Sequence, residues 1–496
     1  MHLAEKIAAA DLELDDESSA SQPRLNPNTG ISLMILFQMM VIPIYLFCSD
    51  ALNRHYVELA NHYIPAGFFF LCTAIVYLRL AHHHLLFWTP MTWFFVTSAL
   101  LFGMGPLIYF YGTEYSIRFL DSYFVLTDEM LLRTNLLNAF GTLVVCLSHA
   151  LACHVNWRPS SGERIENTNT LSMAKRVFWT ILCFALPLKW LIFVPMYMDA
   201  FDFVIPAVIQ NLANMLGVCI VLAFYISFSG QPRFIFIAVL LMASDALIST
   251  LTFSKTHFIL PLIQASMGIY LSNRSRSFLV GGLVLSIVAY LWVKPLVDMG
   301  RSEFYHTSKS SASRMELVKN YFSGDIQASE SITQANSQHW WTRQSFSSVE
   351  GYMINAYDNG SPGNTIRDFW VVLIPRILWP DKPNLSIVGT NLNKLIIGND
   401  QTSIGGTIYG EAYWNGGWPM VLIVSTFVGA ALFVLGQYSV YYLEVQDVRY
   451  VPIAMMGIFY GLDIQNWFIP AFVGTLPLFI GLWFFIKRLI RVKQTE

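Results

Sequence analysis

Apolar segments of nearly bilayer-spanning length alternate with polar connections along the chain. A transmembrane helix needs about 20 predominantly apolar residues. Nine such segments precede a long polar stretch and three follow it, at residues 31–48, 64–80, 89–111, 131–155, 177–197, 204–229, 235–251, 256–272, 278–296, 418–442, 451–468 and 470–486. The pattern predicts an all-α polytopic membrane protein with about twelve transmembrane helices, and eleven or thirteen also fit it.

The long polar stretch runs from Val297 to Gly417 and contains two dense motifs, PRILWPDKP (375–383) and GEAYWNGGW (410–418). The two groups of spans and this polar stretch divide the chain into four predicted regions. These are a disordered cytoplasmic tail (1–30), a bundle of about nine spans (31–296), a loop domain (297–417), and about three spans with a basic cytoplasmic tail (418–496). Residues 366–380 are apolar but too short to span, which predicts an interfacial or re-entrant segment in the loop.

Composition supports the membrane class and changes little else. The chain is 55% hydrophobic and 12% charged, with a formal net charge of −2. Such values exceed the apolar content of ordinary soluble proteins, and the charge gives no indication of nucleic-acid binding. The acidic N-terminus lacks the basic start and apolar centre of a cleavable signal peptide.

Basic residues indicate the orientation, because cytoplasmic loops carry an excess of Lys and Arg. They cluster in two connections and at the C-terminus: Arg158, Arg164, Lys175 and Arg176; Arg274 and Arg276; and Lys487, Arg488, Arg491 and Lys493. With twelve spans, both termini are then cytoplasmic. The 297–417 loop, the 112–130 loop and the turn holding Lys255 share the outer face.

Several cations on the outer face are candidates for binding phosphate. Arg376 lies between apolar neighbours just before a Pro-Asp-Lys-Pro turn that holds Lys382. A guanidinium binds oxyanions through two parallel hydrogen bonds, although pairing with Asp368 or Asp381 would also explain Arg376. The leading phosphate-binding candidates are Arg376, Lys382 and Arg343. Arg301 and Lys255 are candidates of second rank.

Aromatic rings and two acid–base groups accompany these cations. His339, Trp340, Trp341 and Arg343 are adjacent, which offers stacking faces for sugars beside a cation. Glu411, which stands among glycines, or His339 is the predicted general base, although Glu411 could equally orient one of the arginines or form a purely structural pair. The candidate sugar-binding residues are Trp340, Trp341, Trp379, Tyr413 and Trp414.

The two motifs carry a resemblance. Many spans, an outer loop with an arginine region, the pattern PR-x-x-WP-x-KP and the pattern G-E-x-Y-x-N-x-G resemble the Wzy-type polymerases of O-antigen and exopolysaccharide repeat units. The resemblance covers roughly residues 342–418, whereas the first half matches only as a hydropathy pattern. It implies a glycosyltransferase of the bacterial inner membrane.

The resemblance further implies that the enzyme needs no metal or other cofactor. It moves a growing glycan from undecaprenyl pyrophosphate onto an incoming repeat unit at the periplasmic face, in contact with membrane lipid and with a chain-length-regulating co-polymerase as partner. An O-antigen ligase-like glycosyltransferase has the same architecture and lipid donor. A flippase or transporter for lipid-linked oligosaccharide is the alternative from another class, and it predicts charges lining the midplane of the bundle.

Overall fold

A computed structural model describes residues 26–154, 170–197, 207–273, 275–304, 311–323, 339–367, 369–374, 379, 388–398, 403–444, 448–473 and 476–491. Within these ranges the chain is helical and contains no β-strand. The all-α prediction is therefore confirmed for the described part. The predicted N-terminal tail lies almost entirely outside it.

Within the described residues, fifteen helices of nine or more residues form the framework. In chain order they are α1 (Ile31–Ser49), α2 (Val57–His82), α3 (Pro90–Ser98), α4 (Asp128–His154), α5 (Thr170–Leu188), α6 (Leu216–Phe228), α7 (Arg233–Thr252), α8 (Lys255–Asn273), α9 (Arg276–Phe304), α10 (Ser311–Ser323), α11 (Ser347–Asp358), α12 (Val388–Ile397), α13 (Ile408–Glu444), α14 (Val451–Leu462) and α15 (Leu476–Arg491). Shorter α-helices are Ile108–Tyr111, Glu114–Asp121, Val194–Tyr197, Ala207–Asn214 and His339–Thr342. Short 3₁₀ or π segments are Ala51–Tyr56, His84–Trp88, Ala99–Met104, Lys189–Phe193, Phe369–Leu373, Val448–Tyr450, Asp463–Gln465 and Ile469–Val473.

Helix length and composition agree with a membrane protein. Each of the twelve apolar segments contains helix, and seven helical stretches in the described residues are long and apolar enough to cross a bilayer: Ile31–Ser49, Ala51–His82, Asp128–His154, Thr170–Phe193, Ile209–Phe228, Ser277–Gly300 and Ile408–Tyr441. Many large apolar side chains on these stretches point outward, as lipid-facing residues do. The figure of twelve spans stays a prediction.

Two large apolar clusters hold the helices together. One is built from α5, α6, α7 and α8 with α14, and the other from α1, α2, α3, α4 and α13. The second cluster also takes in Ile354 and Ile366 from the region predicted to be a loop. Parts of the 297–417 region are thus packed into the helical core.

At both predicted boundaries of the 297–417 loop, a helix extends past the boundary residue. α9 continues beyond Val297 to Phe304, and α13 begins at Ile408, before Gly417. α13 is bent where Gly416 and Gly417 leave helical geometry, with φ of 61° at Gly417, and Pro419 follows the bend. Glycine is suited to that left-handed conformation because it has no Cβ. The GEAYWNGGW motif therefore forms the first two turns of α13 and the bend itself.

Candidate functional site

Thr407 caps the N-terminal end of α13 and fixes how the motif begins. Its backbone N–H donates to the Gln465 carbonyl oxygen at 3.3 Å, and its Oγ1 accepts a hydrogen bond from the Gly410 N–H at 3.1 Å. Its φ is 51°, a left-handed conformation that β-branched residues rarely adopt. Such strain persists only where the surrounding contacts impose it, and it is common at functional sites.

Glu350, from α11, is buried against this cap. Its Oε1 accepts a hydrogen bond from Thr407 Oγ1 at 2.6 Å, and its Oε2 accepts one from Asn138 Nδ2 of α4 at 2.9 Å. A Cβ on Gly410 would lie only 3.1 Å from Glu350 Cγ, so the motif glycine leaves room for this side chain. Burial raises the pKa of Glu350 to about 7, and the two hydrogen bonds partly oppose this shift.

Glu411 is also fully buried, and protein donors occupy both of its oxygens. Thr365 Oγ1 donates to Oε1 at 2.6 Å, and the Phe468 backbone N–H donates to Oε2. Asn415 strengthens the arrangement by donating to Thr365 Oγ1 at 2.8 Å. Glu411 therefore joins α13 to two distant segments. We call Glu350 and Glu411 the buried acidic pair.

A second charged group lies at the accessible edge of the same region. Arg133 of α4 contacts Asp358 of α11 at 2.5 Å, with side chains 40% and 33% exposed. Tyr413 donates a hydrogen bond to Asp358 Oδ1 at 3.1 Å, and Arg133 lies 3.4 Å from the Tyr413 hydroxyl. We call Arg133, Asp358 and Tyr413 the rim cluster. It contains an accessible cation and an accessible carboxylate on neighbouring helices.

The buried acidic pair supports the rim cluster through the helices that the two groups share. Glu350 and Asp358 both belong to α11, and Glu411 and Tyr413 both belong to α13. Each buried carboxylate bonds to a different part of the chain, so the pair fixes both helices relative to α4 and to the segment after α14. Accurate placement of charged groups is what catalysis by electrostatic stabilisation requires.

The predicted sugar-binding aromatics have differing environments. Trp340 stacks on Trp341 with centroids 6.0 Å apart, and Trp370 stacks on Trp379 at 5.7 Å. Trp340 and Trp370 are exposed, so each stack offers an aromatic ring for a sugar or for the membrane interface. The side chains of Tyr413 and Trp414 are less accessible to a sugar. Tyr413 is buried, and Trp414 donates to the Ser361 carbonyl and packs against Gly363.

The structure places only some of the predicted cations. Arg343 is exposed just after the short helix His339–Thr342. The backbones of Arg301, Lys255 and His339 are helical, but their side chains lie outside the described part of the chain. Arg376 and Lys382, with most of PRILWPDKP, also lie outside it. The roles of these residues stay predictions.

Glu350, Arg133, Asp358, Thr407 and Asn138 were not anticipated from the sequence. Arg133 offers the clearest clue in retrospect, because it stands near the start of an apolar segment, beside the 112–130 loop on the predicted outer face. The sequence gives little indication of Glu350, because it is a single carboxylate in a helix of mixed polar and apolar residues. Asn138 and Glu350 are 212 positions apart, and no local pattern predicts that contact.

A separate ion pair lies among the apolar helices. Lys189 Nζ contacts Asp245 Oδ1 at 2.5 Å, with side chains only 8% and 6% exposed. Lys189 begins a π-helical turn after α5, and Asp245 lies on α7. The adjacent Trp190 donates a hydrogen bond to Ser244 at 2.8 Å. Ionisable groups within membrane helices often pair in this way, and they frequently have a function.

Comparison with known proteins finds no matching family model, curated protein or solved structure.

Proposed function

We propose that this protein is a glycosyltransferase that polymerises undecaprenyl-pyrophosphate-linked oligosaccharide repeat units. The rim cluster carries this proposal. It combines an accessible guanidinium, suited to a pyrophosphate, with a carboxylate, suited to a sugar hydroxyl. Exposed rings at Trp340 and Trp370 add stacking faces for glycan.

The proposed topology has about twelve spans in the bacterial inner membrane, with both termini cytoplasmic and the 297–417 region periplasmic. Arg133 lies in the second turn of α4, the end nearer the 112–130 connection. In this topology that end is periplasmic. The rim cluster then meets the lipid-linked glycan on the side where repeat units are joined.

In the proposed reaction, the bond between the anomeric carbon and a pyrophosphate oxygen breaks as the acceptor hydroxyl oxygen bonds to that carbon. The hydroxyl proton passes to Asp358, and the lipid pyrophosphate leaves with the bonding electron pair. Arg133 stabilises the charge that develops on the leaving group. When Arg133 turns towards the pyrophosphate, it leaves the ion pair, and Asp358 can then accept the hydroxyl proton. Arg343 is a second candidate for the pyrophosphate, and Glu411 and His339 stay predicted acid–base groups.

The lipid-linked glycan profile of a deletion strain tests this proposal. We expect single capped repeat units to replace polymer, and the wild-type gene to restore polymer length and amount. Polymer that stays on the lipid carrier would indicate a ligase instead. Repeat units trapped on the cytoplasmic side would indicate a flippase.

Complementation with Asp358→Asn tests the rim cluster in the same strain. We expect little or no polymer, because the amide accepts a proton poorly and also loses the ion pair. Glu114→Gln is the matched control, since Glu114 forms an exposed ion pair with Arg118 outside the rim cluster. Wild-type polymer from a correctly expressed Asp358→Asn protein would remove Asp358 from the reaction.

The Lys189–Asp245 pair favours a second candidate, a flippase or transporter for lipid-linked oligosaccharide. Proton- and ion-coupled transporters use paired ionisable groups inside the membrane. In that function the pair would separate and re-form during each cycle, so its charges would be indispensable. A polymerase would need the pair only for stability.

A further inference from the structure

The accessible side chains of α4 form one continuous stripe. Between positions 131 and 147, the residues that are not buried are Arg133, Leu136, Phe140, Leu143 and Leu147. Steps of three or four residues keep all of them on one face of the helix. The rise from the first to the last is about 21 Å, against about 30 Å for the hydrocarbon core of a bilayer. The stripe therefore begins with a cation and continues as apolar side chains.

α13 borders this stripe. Arg133 lies 3.4 Å from the Tyr413 hydroxyl, and further along both helices the Phe140 and Trp418 rings pack edge to face with centroids 5.4 Å apart. Trp418 and Leu422 are 37% and 49% exposed, and a spacing of four residues places them on the same side of α13. We call these apolar residues the α4–α13 seam: Leu136, Phe140, Leu143, Leu147, Trp418 and Leu422.

Trp418 joins the seam to the rim cluster. Its ring is nearly perpendicular to the Tyr413 ring, with centroids 5.3 Å apart, and the Tyr413 hydroxyl donates to Asp358 at 3.1 Å. Its ring is also nearly perpendicular to that of Phe140. Two edge-to-face contacts thus hold the indole between the charged groups and the apolar stripe of α4.

We propose that the α4–α13 seam binds the polyprenyl chain of the lipid carrier, with the carrier's pyrophosphate at Arg133. The identity of the carrier rests on the proposed function. Charge complementarity sets the direction, because the anionic pyrophosphate meets the cation at the outer end while the chain stays in the hydrocarbon beside the seam. Glu129, one turn further out, does not oppose this, since it is paired with Arg54 at 2.9 Å.

The seam would position the leaving group for the reaction. Lipid tails are as apolar as the seam, so the chain gains van der Waals contacts there and no hydrophobic driving force. The charge-assisted hydrogen bonds from Arg133 supply the larger part of the affinity. With the pyrophosphate at Arg133 and the chain along α4, the anomeric carbon is directed towards Asp358. Phe140 and Trp418 are therefore positioning residues.

Photolabelling of the full-length protein in lipid nanodiscs tests the seam without any variant. The probe is undecaprenyl pyrophosphate with a diazirine on its polyprenyl chain. We expect the label on seam residues of α4 or α13, and we expect unlabelled undecaprenyl pyrophosphate to prevent it while excess phosphatidylglycerol does not. Label confined to other helices would overturn the proposal. Equal protection by phosphatidylglycerol would also overturn it, because the seam would then bind bulk lipid.

Binding of the same probe to variants tests individual residues. Arg133→Gln should weaken binding about tenfold or more, and Phe140→Ala about threefold or more. Phe70→Ala is the matched control, since Phe70 is an exposed phenylalanine near the middle of α2, and it should bind as the wild type does. Wild-type affinity of a folded Phe140→Ala protein, or equal weakening in the two phenylalanine variants, would contradict a specific seam.

Neither measurement requires turnover, so the seam and the reaction can fail separately. If the deletion strain kept its polymer while the probe still labelled the seam, polymerisation would be wrong and the carrier site would stand. If the strain lost polymer while the probe labelled only other helices, the seam would be wrong and polymerisation would stand.

Discussion

The Thr407 hydroxyl donates a hydrogen bond to the Glu350 carboxylate at 2.6 Å while the Thr407 backbone has a φ of 51°. A non-glycine residue in the left-handed region costs about 1–3 kcal/mol. The contacts of one hydroxyl, which reach both Glu350 and the Gly410 N–H, help to offset that cost. The start of α13 and the burial of Glu350 therefore depend on each other.

Replacing Thr407 by valine should destabilise the protein by about 1–3 kcal/mol, because a buried carboxylate loses a donor while the shape stays nearly the same. Thermal unfolding in detergent measures the effect. Thr407→Ser keeps the hydroxyl and should retain most of the stability. Equal melting temperatures for Thr407→Val and the wild type would mean that the hydrogen bond contributes nothing net.

Glu350 should make stability fall as pH rises. Its pKa lies at about 7 when folded, against an ordinary value of 4.5, so between these values the folded state binds more protons than the unfolded state. Its stabilising contribution is complete below about pH 4.5 and is lost by about pH 7, with a total of about 3 kcal/mol. Tyr109 and Tyr409 also interact with Glu350, but phenols carry no charge in this range.

Glu350→Gln supplies the comparison, because an amide of the same shape does not titrate. The difference in stability between wild type and variant should decline from pH 4.5 to pH 7 and then level off. Denaturant titrations at several pH values in one detergent measure it. A difference that rises with pH over this window would contradict the direction given by burial.

Arg133→Gln should lower polymer synthesis at least tenfold, equivalent to about 1.4 kcal/mol in the activation free energy. The physical reason is the loss of the cation that would face the leaving pyrophosphate. The variant should lose less than about 1 kcal/mol of stability, because its ion pair with Asp358 is partly exposed. Assays of repeat-unit polymerisation in membranes measure the rate.

Arg118→Gln is the matched control, since Arg118 forms an exposed ion pair with Glu114 within the short helix Glu114–Asp121. It should retain wild-type activity. Equal losses in the two variants would indicate a general effect of removing a cation, and full activity of Arg133→Gln would exclude Arg133 from the reaction.

The helices could largely be predicted from the sequence, whereas the contacts of the site could not. Apolar segments of about 20 residues are a local property, so α1 and α4 appear as predicted segments. Glu411 can be predicted as a candidate because it is the carboxylate of a glycine-rich motif. Its partners Thr365 and Phe468 are 46 and 57 positions away, and only tertiary packing brings them together.

The bend in α13 depends on Gly417. A Cβ there would lie 3.0 Å from the Tyr357 ring, and the backbone has a φ of 61°. Gly417→Ala should therefore destabilise the protein by about 1–2 kcal/mol, and it should lower polymer synthesis by moving Tyr413. Gly281→Ala is the control, since that glycine lies within α9 with open space around it and should be neutral or stabilising. A melting temperature of Gly417→Ala at or above that of Gly281→Ala would show that the bend tolerates a side chain.

The buried Lys189–Asp245 pair separates the two candidate functions. Removing one partner leaves an isolated charge among apolar helices, so Lys189→Met alone should destabilise the protein by about 3–5 kcal/mol. Replacing both residues, as Lys189→Met with Asp245→Leu, should restore stability, because well-packed apolar side chains can substitute for such a pair. If the protein is a polymerase, the double variant should also restore polymer to near the wild-type level in the deletion strain. A double variant that is stable but inactive would show that the charges themselves are needed, and this would favour the flippase or transporter.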